Sequence, residues 1–200
     1  NPGSQHFVEA RPALPLATHV RLHIYPDGGV ARLRVYGEVQ RDWSHVKPDE
    51  VVDLAAAQNG ALAIQCNDMF FSHMNNLIMP GRGLNMGDGW ETKRNRTPNN
   101  RDWVIVRLAH KGIIQKALID TCHFKGNYPD AFVLEGTSNA TDDLSNATWS
   151  TIIERTKLQA DHEHHYEQEV RCNEAVTHVR LSIFPDGGVS RMRLWGTIVD

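Results

Sequence analysis

The chain has 200 residues, with 21 Lys and Arg against 24 Asp and Glu, a formal net charge of −3 and 40% apolar content. That length and apolar content suffice for a full-sized core without disulfides or a structural metal, and the balanced, scattered charge excludes the basic footprint of a nucleic-acid binder. No apolar run approaches the roughly 18–20 residues of a membrane span, and the widely spaced Cys66, Cys122 and Cys172 read as reduced, buried thiols of a cytoplasmic protein rather than a disulfide framework.

From the N-terminus, Val20, Leu22 and Ile24 fall on alternate positions, which places them on one face of a strand. Pro26-Asp27-Gly28-Gly29 then supplies residues that tolerate tight turns, and Val30, Leu33 and Val35 follow, so residues 18–37 are expected to form a β-hairpin. The same string returns at 177–196 with an offset of 159 residues, carrying Val179, Leu181 and Ile183, then Pro185-Asp186-Gly187-Gly188, then Val189, Met192 and Leu194. The match extends back to His6-Phe7 against His165-Tyr166. The expected organisation is therefore residues 1–40 as the closing hairpin of one repeat and 41–200 as a whole second repeat, together a fragment of a longer two-repeat protein.

Within the second repeat, Pro48-Asp49-Glu50 ahead of Val51, Val52, Leu54 and Ala55 predicts a short helix over 49–57. Val/Ile-rich segments bounded by Gly, Pro, Asn or Asp predict strands at about 61–66, 103–109, 113–122, 131–137, 148–154 and 165–172. With the closing hairpin these make an all-β domain of about eight antiparallel strands, the pattern of a jelly-roll sandwich. Long loops are expected at 72–102 and 137–147, the second reading as solvated surface.

The first loop carries the chemistry. Residues 66–103 pack Asp, Glu, Arg, Asn and Trp among glycines, so that Arg82 and Asp88 can lie on tight backbone paths, Trp90 can wall a pocket and Glu91 can point into it. The alternative is a loop that merely ties the end of the sandwich through Arg–carboxylate pairs. A second polar cluster, Asp120 to Pro129, closes a strand of alternating apolar residues; His123 within it suits a structural hydrogen bond as well as catalysis.

The strings GRGLNMGDGWETKRNR (81–96), DWVIVRL (102–108), DTCHFKGNYPDAF (120–132) and the twofold Pro-Asp-Gly-Gly-Val segment resemble the allantoicase (allantoate amidinohydrolase) family across essentially the whole chain. The resemblance implies jelly-roll repeats of galactose-binding or discoidin type. It also implies hydrolysis of allantoate to ureidoglycolate and urea in purine breakdown, and a homo-oligomer. Allantoate is a small carboxylate whose central carbon bears two ureido groups. Arg82, Arg94 or Arg96 could grip its carboxylate, Asp68, Asp88 and Glu91 could accept from ureido nitrogens, and Asn76, Trp90 and Asn127 could complete the binding surface. Expelling urea needs a proton for a nitrogen leaving group and a base, for which Glu91 is the expected base and His123 or Lys125 the acid or electrostatic partner.

A divalent metal such as manganese is the expectation left open, without ligands assigned. Asp161-His162-Glu163-His164-His165 offers closely spaced donors, with His162 and His164 on one face if extended, against the simpler reading of exposed linker histidines. The rival to an enzyme is a non-catalytic galactose-binding-like module for a carbohydrate or other ligand, which would share the sandwich but not need so many charges in one loop.

Overall fold

The computed structural model describes residues 3–9 and 16–199. The chain divides into two compact units, Asn1–Gln40 and Arg41–Asp200.

The second unit is built of ten strands, all paired antiparallel: β1 (Val52–Asp53), β2 (Leu62–Cys66), β3 (Trp90–Glu91), β4 (Asp102–Asp120), β5 (Ala131–Thr137), β6 (Ser150–Lys157), β7 (Glu163–Tyr166), β8 (Val176–Phe184), β9 (Gly188–Val189) and β10 (Arg191–Ile198). The organising element is β4. Its first half, Asp102–Arg107, pairs with β8 and β2, and its second half, Gly112–Asp120, pairs with β10 and β7. One strand thus serves two layers: β2, β4, β8, β5 and β6 on one side, and β1, β10, β4 and β7 on the other. Val104, Val106, Leu134 and Leu181 from the first layer join Ala117, Ile119, Met192 and Leu194 from the second in a single apolar cluster, the core of a β-sandwich.

This corrects three expectations. The segments 103–109 and 113–122 are one strand, because nothing between them makes a reversing turn and the register shift between Arg107 and Gly112 absorbs the passage from layer to layer. Residues 49–57 do not form a helix. Val52 and Asp53 pair with β10, Leu54 N–H donates to Leu194 O at 2.8 Å, and Asp53 Oδ1 accepts from the N–H groups of both Ala55 and Leu194, which commits the segment to a sheet edge. Only a 3-10 turn at Ala57–Asn59 follows.

The third correction concerns the duplicated glycine turn. β8 and β10 do not pair with each other; each pairs with the opposite half of β4. Pro185 to Gly188 is therefore an arch that carries the chain between layers, with a cis Phe184–Pro185 bond and Gly187 at φ 137°, in the left-handed region that favours glycine. In the first unit the turn keeps this geometry, with a cis Tyr25–Pro26 bond and Gly28 at φ 139°. Its arms form no strand among the described residues, and Leu22 is 51% exposed where its counterpart Leu181 is fully buried. The reason is the arch itself. Arms that do not pair with each other need a β4-like strand between them, and the described residues of that unit include none.

Candidate functional site

The loop between β2 and β4 is held from below by its own polar groups. Asp68 Oδ1 accepts from the N–H groups of Phe70 and Lys93 at 3.1 and 2.8 Å, while its main-chain oxygen accepts from Trp90 Nε1 at 2.9 Å. Trp90 is fully buried within the core cluster. It acts as a pillar under the loop and does not wall an open hollow, which corrects its expected place. Asn76 Nδ2 donates to the carbonyls of Gly87 and Gly89, at 3.1 and 3.0 Å, and so straps the Gly-rich segment. Asn76 Nδ2 and Asp68 Oδ1 thus serve the loop's own backbone, while Asp68 Oδ2 faces Lys93 Nζ at 3.8 Å.

Above this scaffold the charged side chains gather where β4 ends. Arg82 Nε lies 3.1 Å from Asp120 Oδ2 and 3.3 Å from Glu163 Oε1, so one guanidinium bridges a buried and a half-exposed carboxylate. The hydrogen bond to Asp120 raises the pKa of Arg82. Glu163 also faces His165 at 3.7 Å. Asp120 Oδ1 accepts from Cys122 N–H at 2.8 Å, and burial pushes the Cys122 thiol up. His123, at φ 72°, donates its main-chain N–H to Asp161 Oδ1 at 2.7 Å, and its Nε2 lies 2.9 Å from the Gly83 carbonyl. Asp161 Oδ2 faces Lys125 Nζ at 3.8 Å, and the His123 N–H holds the Asp161 carboxyl below its ordinary pKa.

Asp88 is held low first by the Leu84 N–H and further by Arg191 and His123, which places it in the same field. Glu91, half-buried in β3, accepts from Asn127 Nδ2, whose nitrogen also lies 3.8 Å from Met86 Sδ. β3 in turn pairs with β9, so the glycine arch carries Glu91. Arg94 and Arg96 are exposed, with no hydrogen-bonding or charged partner among the described residues. The segment between them is fixed by Asn95 N–H donating to Asp186 Oδ2 at 3.0 Å.

The structure therefore brings Arg82, Asp88, His123 and Lys125 together with Asp120, Asp161 and Glu163, sets Glu91 with Asn127 beside Met86, and leaves Arg94 and Arg96 free on the same loop. The buried Arg191 and the partly buried Arg193, missed by the sequence reading, donate to main-chain carbonyls of the loop at Gly81. Their signal was visible: the duplicated turn ends in Arg32 and Arg34 in one copy and Arg191 and Arg193 in the other. A hollow of about 900 Å³ lies elsewhere, lined by residues such as Thr137, Asn146, Thr151 and Arg171, and includes none of the expected site residues.

For a metal, the 161–165 run does not converge. His164 is spent, with Nδ1 donating to the Ile119 carbonyl at 2.9 Å and Nε2 accepting from Gln159 N–H at 2.8 Å. Donors do converge at Cys122, His123 and Asp161, whose ligand-type atoms lie within 4.8 Å of one another.

A family profile described as the allantoicase repeat matches residues 1–40 and 52–199. A probable allantoicase of Pseudomonas fluorescens is 52% identical over 98% of this chain and 60% of its own length, and a probable allantoicase 1 of Burkholderia mallei is 50% identical over 98% and 59%. The chain thus spans about 60% of the length of the curated relatives it matches. Among solved structures, allantoicase from Saccharomyces cerevisiae superposes with a TM-score of 0.67 at 41% identity, covering 76% of this chain and 45% of that one. A family 32 carbohydrate-binding module from Clostridium perfringens, solved with galactose, superposes at 0.53 with 10% identity over 73% of this chain and 99% of its own, a likeness of fold alone. The expected galactose-binding-like sandwich is the fold found, and the chain belongs to the allantoicase family.

Proposed function

We propose that this chain acts in the hydrolysis of allantoate to ureidoglycolate and urea, with the site at the β4 end of the second unit. The observation that supports it most is the gathering of guanidinium, carboxylate and amide groups by one loop, on a chain half identical to probable allantoicases over nearly its whole length. Arg82 is neutralised by two carboxylates, so Arg94 and Arg96 are the cations free to take the substrate carboxylate. Glu91, oriented by Asn127 and with no cationic partner among the described residues, is the base. Lys125, 3.8 Å from Asp161 and otherwise open to solvent, is the group able to protonate a departing ureido nitrogen. His123 has a ring nitrogen at the Gly83 carbonyl and holds the loop. Asp88 is the remaining acceptor for ureido N–H groups. A carbohydrate-binding role is not favoured, since the likeness to such modules does not extend beyond the fold.

The reading extends to location and assembly. Cys66, Cys122 and Cys172 are free, as a cytoplasmic setting keeps them, and no helix among the described residues is long and apolar enough to cross a membrane. Exposed Val20, Leu22, Val30 and Leu33 favour association between copies, which light scattering measures. Manganese fits the donors poorly, because thiolate ligands suit softer cations than the oxygen-seeking manganese ion.

Urea release from allantoate and calorimetric binding of allantoate test the assignment together. Glu91→Gln should keep binding within a fewfold while lowering turnover by about 100-fold or more, and Arg94→Ala with Arg96→Ala should weaken binding. A chain with a cooperative melt that neither binds allantoate nor releases urea would overturn the reading.

A further inference from the structure

We propose that Cys122, His123 and Asp161 form a binding site for a borderline-soft divalent cation of the zinc type. The three side chains supply thiol, imidazole and carboxylate, and their donor atoms lie within 4.8 Å of one another. Ligands of a tetrahedral zinc ion sit about 3.3–3.8 Å apart, given bonds of roughly 2.0–2.3 Å, so a rotamer adjustment closes the set.

The surroundings are those of a ligand site. His123 Nε2 donates to the Gly83 carbonyl at 2.9 Å, which fixes the tautomer and leaves the Nδ1 lone pair free. A backbone carbonyl on the distal nitrogen is how metal-bound imidazoles are commonly oriented. His123 N–H occupies Asp161 Oδ1, so Oδ2 is the donor, and the cation takes the place of Lys125 Nζ, which faces that oxygen at 3.8 Å and is otherwise exposed. The Cys122 main chain is pinned by Asp120 Oδ1 at 2.8 Å, while its buried sulfur makes no hydrogen bond among the described residues. Beside Cys122, Arg82 pairs with both Asp120 and Glu163 while Lys125 faces Asp161, so three carboxylates meet two cations, an acid excess that favours a further cation. Asp161 is exposed, so the fourth position opens to solvent, as it does where zinc sites admit water.

The donor set also selects the metal. Thiolate with imidazole prefers zinc or cobalt over manganese, magnesium or calcium, which seek oxygen. The site is independent of the roles proposed for Glu91, Arg94 and Arg96, and its test needs no substrate.

The reduced, chelator-treated chain is titrated with zinc by calorimetry and with cobalt(II) by absorption. One equivalent should bind, with a near-ultraviolet sulfur-to-cobalt charge-transfer band. Cys122→Ser should abolish the band, and Asp161→Asn should weaken zinc binding by roughly tenfold or more. Cys66→Ser, Cys172→Ser and the His162→Ala/His165→Ala double variant should leave both intact. Thermal melts confirm that each variant is folded, and Asp161→Asn alone decides if Cys122→Ser is not. A chain that binds neither metal, a cobalt spectrum lacking the sulfur band, or binding lost with the 162 and 165 histidines instead would overturn the site.

Discussion

Arg191 and Asp88 join the floor of the sandwich to the loop that carries the candidate site. Arg191 sits at the start of β10, 3% exposed, and its Nη2 lies 3.3 Å from Asp88 Oδ2. The same guanidinium donates from Nε to the Gly81 carbonyl at 3.1 Å and from Nη1 to the carbonyls of Asp88 and Ser190. A single buried cation therefore satisfies three main-chain acceptors and one carboxylate across as many as 110 residues of sequence. Without it, backbone oxygens at the base of the loop would be buried and unpaired.

Replacing Arg191 by Ala should destabilise the second unit by about 2–3 kcal/mol, since stranded acceptors and lost charge-assisted bonds act together while Asp88, partly exposed, recovers water. Lys should rescue only part of the loss, because one ammonium cannot reproduce the fork. Arg32→Ala, at the matching place in the first unit, should change stability by less than about 0.5 kcal/mol. Urea unfolding of the three variants measures the difference.

Gly188 is a second point where fold and chemistry meet. A Cβ at this position would stand 1.9 Å from Cε1 of Phe124, whose ring is fully buried. Phe124 lies between His123 and Lys125, and Gly188 pairs with Glu91, so any displacement reaches the proposed base and acid together. Gly188→Ala should cost about 3 kcal/mol through overpacking and lower turnover along with stability. Gly29→Ala, where a Cβ meets nothing within 4 Å, should do neither. Thermal melting and urea assays on the pair check both halves of the expectation.

How far the sequence showed this follows from what each signal encodes. Alternation marks which residues face inward, and Val179, Leu181, Ile183, Met192 and Leu194 are all buried as the period of two requires. It does not encode which strand lies alongside, so the arch over Gly187 read as a hairpin until the register showed β4 between its arms. The glycine-rich loop announced its polar residues, but not that Trp90 would turn into the core to donate to Asp68. Asp120 comes from one stretch and Asp161 with Glu163 from another, and only folding brings them to Arg82 and its neighbours. The histidine run misled for the same reason. Strand alternation grouped His164 with His162 on one face, but His162 is exposed while His164 turns inward, where the Ile119 carbonyl and Gln159 N–H claim both its nitrogens.

That burial of His164 makes folding sensitive to mild acid. With Nδ1–H on one carbonyl and Nε2 accepting a main-chain N–H, the neutral ring is satisfied and a second proton would face a donor. Burial pushes its pKa below the ordinary 6.5; His162 nearby acts in the same direction, while the hydrogen bond to Ile119 and the Asp120 charge oppose it. The unfolded chain therefore binds this proton first as pH falls. Stability is fully present above about pH 6.5 and declines below it until the folded ring itself protonates, by at most about 1.4 kcal/mol per pH unit for one group. Unfolding free energies measured from pH 7.5 down to 5 should be steeper for the parent than for His164→Gln, which loses stability at neutral pH but no longer titrates. Parallel slopes in the two proteins would mean that the acid sensitivity resides in another group.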